Sequence, residues 1–135
     1  MKFLLDTNAV ITILNKNQTF ISKLKQYRPS DFGLPAIVLF ELYYGAEKSQ
    51  RKAENLANIA RLPFEVLPFS ADDARLAGKF RAELAKAGKS IGAYNVQIAA
   101  QACSRNLTLI THNTKEFIRI DELKLEDWQD EFSSF

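Results

Sequence analysis

Short apolar runs that stop at a polar residue alternate with longer amphipathic stretches along the whole chain. Phe3-Leu4-Leu5 ends at Asp6, the pattern of a buried parallel strand. Asp6-Thr7-Asn8 supplies N-cap residue types before a helix over 9–14. A second helix is predicted from Thr19 to Tyr27, with Phe20, Leu24 and Tyr27 on one face, and Arg28-Pro29-Ser30-Asp31 breaks it. Phe32-Gly33-Leu34-Pro35 reads as the next strand, and Pro35 suits the first turn of the helix behind it. That helix carries Ile37, Phe40, Glu41 and Tyr44 on one face, so an acid sits in an apolar stripe. A polar amphipathic helix over 50–61 follows, marked by Leu56, Ile59 and Ala60, and then a strand over 64–68. Ser70-Ala71-Asp72-Asp73 has the outline of a capping box, opening a helix striped by Leu76, Phe80, Leu84 and Ala87 and stopped by Gly88. Helix Tyr94–Ser104 faces Val96, Ala99, Ala100 and Cys103 inward. Leu107-Thr108-Leu109-Ile110-Thr111 is the clearest late strand, and Asn113–Phe117 forms a short turn of helix.

Alternating strands and helices define an α/β class: a parallel sheet with helices on both faces. Ligands in such folds lie beyond the carboxyl ends of the strands, and that rule selects which polar residues matter. At 135 residues, without repeats or linkers, the chain reads as one domain. No apolar run reaches the roughly 18 residues of a bilayer span, and no secretory leader precedes the first strand. One cysteine and one histidine exclude an internal disulfide and a closed zinc site of the usual ligands. These features predict a cytoplasmic protein. Up to residue 120 there are seventeen bases against ten acids, whereas from Asp121 onward six acids face Lys124 alone. A basic body suits an anionic partner such as nucleic acid, although an ordinary solvated surface has the same composition.

Asp6 ends a strand and opens a helix, which aims its carboxylate at the rim; a helix cap on a surface acid is the alternative. Glu41 on an apolar stripe is costly to bury unless it is salt-bridged or bound to a cation. Asn95, in the first turn of a helix, serves either as a local hydrogen-bonding group or as a site residue. Asn113 and Glu116 stand at the rim beyond the last strand, although each could equally cap or flank the short helix. His112 has no evident triad or metal-cage partner and reads as an exposed loop residue, while Cys103 reads as packing. No Gly-rich phosphate loop or Gly-x-Ser-x-Gly elbow occurs. An aspartyl phosphatase is disfavoured because its second acid would be Asn8. Acids and amides delivered by several element ends suit Mg2+ or Mn2+, which with a basic body suggests phosphodiester hydrolysis. The aromatic stripe Phe40, Tyr43, Tyr44 offers a groove for an amphipathic partner segment, with core packing as the alternative for Phe40. A partner's Arg or Lys could pair there with Asp6 and Glu41.

Three blocks in order, Leu4-Leu5-Asp6-Thr7-Asn8, Phe40–Ser49 and Ile91–Ala99, resemble the PIN-domain ribonucleases, above all the VapC toxins of toxin–antitoxin pairs. Thr111–Phe117 continues the similarity, which spans about 1–128 and leaves a short acidic tail. The resemblance implies a three-layer, Rossmann-like sandwich and Mg2+- or Mn2+-dependent endoribonuclease activity. It further implies a homodimer or higher heteromeric complex, a VapB-type antitoxin and operator DNA bound only through that antitoxin. The substrate carried over is initiator tRNA, cut in the anticodon stem-loop. Asp6 matches the family's first metal carboxylate and Glu41 its second acid. Asn95 falls where the family usually places a metal-binding Asp, Asn113 falls near a fourth polar position, and Glu116 is an additional acid. An amide at 95 brings no formal charge, so the expected activity is impaired. A non-catalytic protein keeping the fold and its RNA or antitoxin contacts is the alternative.

Overall fold

A computed structural model describes residues 1–129. Five parallel strands form one sheet in the order β3-β2-β1-β4-β5: β1 (Phe3–Leu5), β2 (Phe32–Pro35), β3 (Glu65–Leu67), β4 (Thr108–Ile110) and β5 (Lys124–Glu126). The helices are α1 (Thr7–Leu14), α2 (Gln18–Leu24), α3 (Ala36–Glu47), α4 (Lys52–Ala60), α5 (Ala71–Lys86), α6 (Ala93–Ser104) and α7 (Thr114–Phe117). Every residue of β1 and β2 is buried. In a period-2 element that requires cover on both faces, which explains the continuous apolar runs. The helices group accordingly: α1 touches α2 and α3, α3 touches α4, and α5 packs along α6.

The strand order turns at β1. The chain moves outward through β2 and β3, then returns to lay β4 on the other side of β1, with Leu5 in register with Ile110. The carboxyl ends of β1 and β4 therefore flank the topological switch point, where doubly wound sheets open a crevice.

Several helix limits follow from local chemistry. Ser70 and Asp73 close a reciprocal capping box at α5 (Asp73 N–H to Ser70 Oγ, 3.1 Å; Ser70 N–H to Asp73 Oδ2, 2.8 Å). Gly88, past the end of α5, has φ +69°, a conformation that a side chain would strain. Gly33 in β2 is needed for closeness, since a Cβ there would lie 2.7 Å from Leu67 Cδ1.

Four sequence expectations are corrected. The buried face of α3 is Val38, Leu42 and Ala46, while Phe40 and Tyr44 face solvent; Phe40 is not core. The helix expected to reach Tyr27 ends at Leu24, and Tyr27 instead stacks on Trp128 with ring centroids 5.5 Å apart. Pro35 ends β2 and caps α3 rather than lying in its first turn. The edge strand β5 was not expected at all.

Candidate active site

Asp6 is the N-cap of α1 and is buried. Its Oδ1 accepts the Ala9 N–H at 2.8 Å, and its Oδ2 accepts the hydroxyl of Thr111, the residue that follows β4. Thr111 is itself buried, and its Oγ1 receives the Asn113 N–H at 2.9 Å. Burial pushes the Asp6 pKa up, and the nearby Glu41 and Asp127 carboxylates push the same way; the Thr111 and Ala9 hydrogen bonds only partly offset them. The carboxylate is held rigidly, yet its charge is undercompensated.

Glu41 approaches from α3. The hydroxyl of Thr7, the residue after Asp6, donates to Glu41 Oε1 at 2.6 Å, so β1 and α3 bring the two acids to one spot. Neither a fully buried position nor a salt bridge describes Glu41: it is half-buried and hydroxyl-bound.

Asn95 stands in the first turn of α6, and its Nδ2 donates to Glu116 Oε1 at 3.2 Å. The same oxygen accepts the Gly92 N–H at 2.7 Å, and Asn113 Nδ2 reaches Glu116 Oε2 at 3.3 Å. The Gly92 N–H is the main influence holding the Glu116 carboxyl below its ordinary range; burial opposes it, and the Asn95 and Asn113 amides with Arg119 add to the lowering. A continuous hydrogen-bonded chain thus runs from Asp6 through Thr111, Asn113 and Glu116 to Asn95. That chain lies at the carboxyl rim of β1 and β4; Glu41 stands outside it, brought beside Asp6 by Thr7, and Asn95 joins it through Glu116 alone.

Three contributors went unrecognised in the sequence. Thr111 and Thr7 orient the acids, and Asp127, after β5, adds charge near Asp6. His112 has the carboxylate partner that the sequence did not reveal, with Nδ1 2.9 Å from Asp127 Oδ2. A strand ending in a β-branched hydroxyl residue beside the one that ends in Asp6 was the signal available for Thr111.

Among the described residues no group of three or more Asp, Glu, His or Cys side chains is arranged to hold a metal ion. The donors at the rim are the carboxylates of Asp6, Glu41 and Glu116 and the amides of Asn95 and Asn113. Hard oxygen ligands of that kind fit a hydrated Mg2+, which takes one or two protein carboxylates and keeps several waters. The undercompensated charge of buried Asp6 beside Glu41 favours a cation at that place.

A family model for the PIN domain matches residues 3–123. The chain is 40% identical over 132 residues to the tRNA(fMet)-specific endonuclease VapC of Salmonella typhimurium, covering 95% of this chain and 98% of that protein. It is 38% identical over 130 residues to the protein of the same name in Shigella flexneri, covering 95% and 98%. Among solved structures it is similar to VapBC2 of Rickettsia felis bound to a DNA fragment from its promoter (TM-score 0.89, 34% identity, 96% of this chain and 100% of that one). DNA-bound VapBC of Salmonella typhimurium gives a TM-score of 0.89 at 39% identity, over 96% and 99%. The chain belongs to the PIN-domain family, and within it to the VapC ribonucleases.

Proposed function

We propose that this chain is the toxin of a toxin–antitoxin pair, a Mg2+- or Mn2+-dependent endoribonuclease built on a single PIN domain over 1–135, with a site weakened by Asn95. The observation that carries this reading is the meeting of Asp6 and Glu41 at the β1/β4 switch point, with Asn95 tied in through Glu116. Asp6 and Asn95 would hold the cation, with Asn113 and Glu116 beside them. Bound there, a divalent cation would neutralise charge developing on a phosphate and lower the pKa of an attacking water.

The protein's own groups do the rest. Ala9 and Thr111 fix both Asp6 oxygens, so the ligand geometry costs no reorganisation. Glu41, held by Thr7, stands ready to accept a proton from water at the same spot. Asn95 departs from this design. Unit charges about 4 Å apart interact by roughly 4 kcal/mol at an effective dielectric near 20, so replacing a carboxylate with an amide forfeits a large part of that attraction.

Initiator tRNA, cut in the anticodon stem-loop, is the substrate best supported by the names of the two enterobacterial relatives. Incubating initiator tRNA with the chain and with its Asn95→Asp variant in Mg2+ or Mn2+ tests the reading. Faster cleavage by the variant is expected; equal rates would contradict the weakened site, and no cleavage by either would contradict the nuclease.

A VapB-type antitoxin would restrain the toxin in the cytoplasm, within a homodimeric or larger complex that meets operator DNA only through the antitoxin. A cavity of about 340 Å³ between α1, α3 and α4 supports that partner: Ile11, Leu14, Leu42 and Ile59 supply apolar surface, and Glu41 lies in its wall. It opens on the Leu42 side of α3 rather than on the aromatic stripe Phe40, Tyr43, Tyr44. A partner's Arg reaching Glu41 and Asp6 would replace the cation electrostatically.

One observation favours a non-catalytic alternative. The Asn95 amide already satisfies Glu116, so the cluster is partly compensated without a metal.

A further inference from the structure

Three aromatic rings stand in solvent beside the acids. Phe40 directly precedes Glu41, Tyr94 directly precedes Asn95, and their rings meet edge to face across the gap between α3 and α6, with centroids 5.8 Å apart. They are 55% and 46% exposed. Tyr44, one turn beyond Phe40, is 62% exposed, and the ammonium of Lys48, one turn further on, lies 4.6 Å from its ring centroid. Four residues of helix rise about 6 Å, so Phe40, Tyr44 and Lys48 form a regular file leading away from the acids. None of the three rings is needed by the core, whose α3 contribution is Val38, Leu42 and Ala46.

We propose that Phe40, Tyr94 and Tyr44 form a stacking platform for unpaired nucleobases of an RNA strand, with Lys48 taking a backbone phosphate. The inference rests on the ribonuclease reading above and deepens it by assigning the residues that hold single-stranded RNA next to the site. Flat π faces in file with a cation are what sequence-tolerant single-strand binding uses. Carboxylates alone offer an RNA strand no attraction, so grip on the nucleotides flanking the scissile phosphate falls to groups beside the site, and the file begins at the residues adjoining Glu41 and Asn95. Ring content separates this face from the cavity between α1, α3 and α4, which has no aromatic side chain among the described residues of its wall and mixes aliphatic groups with Glu41, Arg51 and Glu54, whereas the file is aromatic and ends in a lysine.

Leucine substitution tests the platform, because it keeps apolar area while removing the π face. Binding of an unstructured RNA oligonucleotide carrying 2-aminopurine is measured on the intact chain and on Phe40→Leu, Tyr44→Leu and Tyr94→Leu, with circular dichroism confirming the fold. The expected result is quenched 2-aminopurine emission on the intact chain and about tenfold weaker binding per ring removed. Lys48→Ala should lower the salt dependence of binding. Affinity and quenching indifferent to the three rings would overturn this inference alone, whereas no binding of any RNA would overturn it together with the ribonuclease reading. Sedimentation provides the remaining arm. A dimer that Tyr44→Arg with Tyr94→Arg converts to monomer, with RNA affinity unchanged, would make the face an interface between copies and also overturn the platform.

Discussion

The hydroxyl of Thr111 donates to the buried carboxylate of Asp6 across the β1/β4 boundary, joining two residues that are far apart in the chain but neighbours in the sheet. Thr111→Val removes that donor at nearly constant volume and leaves a buried oxygen short of a hydrogen bond. We expect about 1–3 kcal/mol of lost stability in urea unfolding and a further rise in the Asp6 pKa, followed by NMR titration. An unchanged pKa would show that the hydroxyl does not tune the acid.

Asp6 also sets a pH dependence. Its folded pKa is raised above the ordinary 3.8, so between that value and the folded pKa the native state binds more protons than the unfolded one. Stability from this group is therefore greatest below 3.8 and is lost as pH rises through the folded pKa. Asp6→Asn should raise the Tm at neutral pH while abolishing cleavage, the trade expected of a site strained for function. A Tm that falls at neutral pH would contradict the undercompensated charge.

Glu116 behaves in the opposite sense. Its folded pKa is lowered from 4.5, chiefly by the Gly92 N–H, so its contribution is present above 4.5 and is lost as pH falls through the folded pKa. Gly92 is the N-cap of α6 and has no side chain to cap with, and Glu116 supplies a carboxylate to that helix end from across the chain. Glu116→Ala should cost about 1 kcal/mol at pH 7, with the cost shrinking as pH falls from 4.5 through the folded pKa, measured by chemical denaturation.

A second polar cluster lies away from the site. Fully buried Asp73 receives Arg105 Nη1 at 2.7 Å and the Ser104 hydroxyl, while Arg105 Nη2 also reaches the Pro68 carbonyl at 3.1 Å. Burial alone would raise the Asp73 pKa, but the combined donors of Ser104, Ser70 and Arg105 hold it below the usual range. Asp73→Ala removes the side-chain arm of the α5 capping box and strands the guanidinium, for an expected cost of about 3 kcal/mol. A loss of under half that in urea unfolding would show that the pair is dispensable.

How much of this was legible depends on the residue. Asp6 could be read because a strand, an acid and a helix follow one another without a spacer, which is the geometry of a rim ligand. The α5 box was legible because Ser70 and Asp73 satisfy each other locally, but nothing in that spacing reveals that Asp73 also receives Arg105 from the end of α6. Helix α3 carries two periodic stripes, and the bulkier one, Phe40 and Tyr44, drew the reading away from Val38, Leu42 and Ala46. Strand β5 is short and at the sheet edge, and its charged Lys124 and Glu126 are exposed, so its pairing to β4 is a tertiary fact. Thr111 and Thr7 act through neighbours that only the assembled sheet supplies.

Mn2+ binding followed by electron paramagnetic resonance tests most directly whether Asp6 and Asn95 hold a divalent cation beside Glu41. The chain should bind Mn2+ weakly, Asn95→Asp at least roughly tenfold more tightly, and Asp6→Ala not measurably. Mn2+ affinity that is the same in all three proteins would contradict that arrangement.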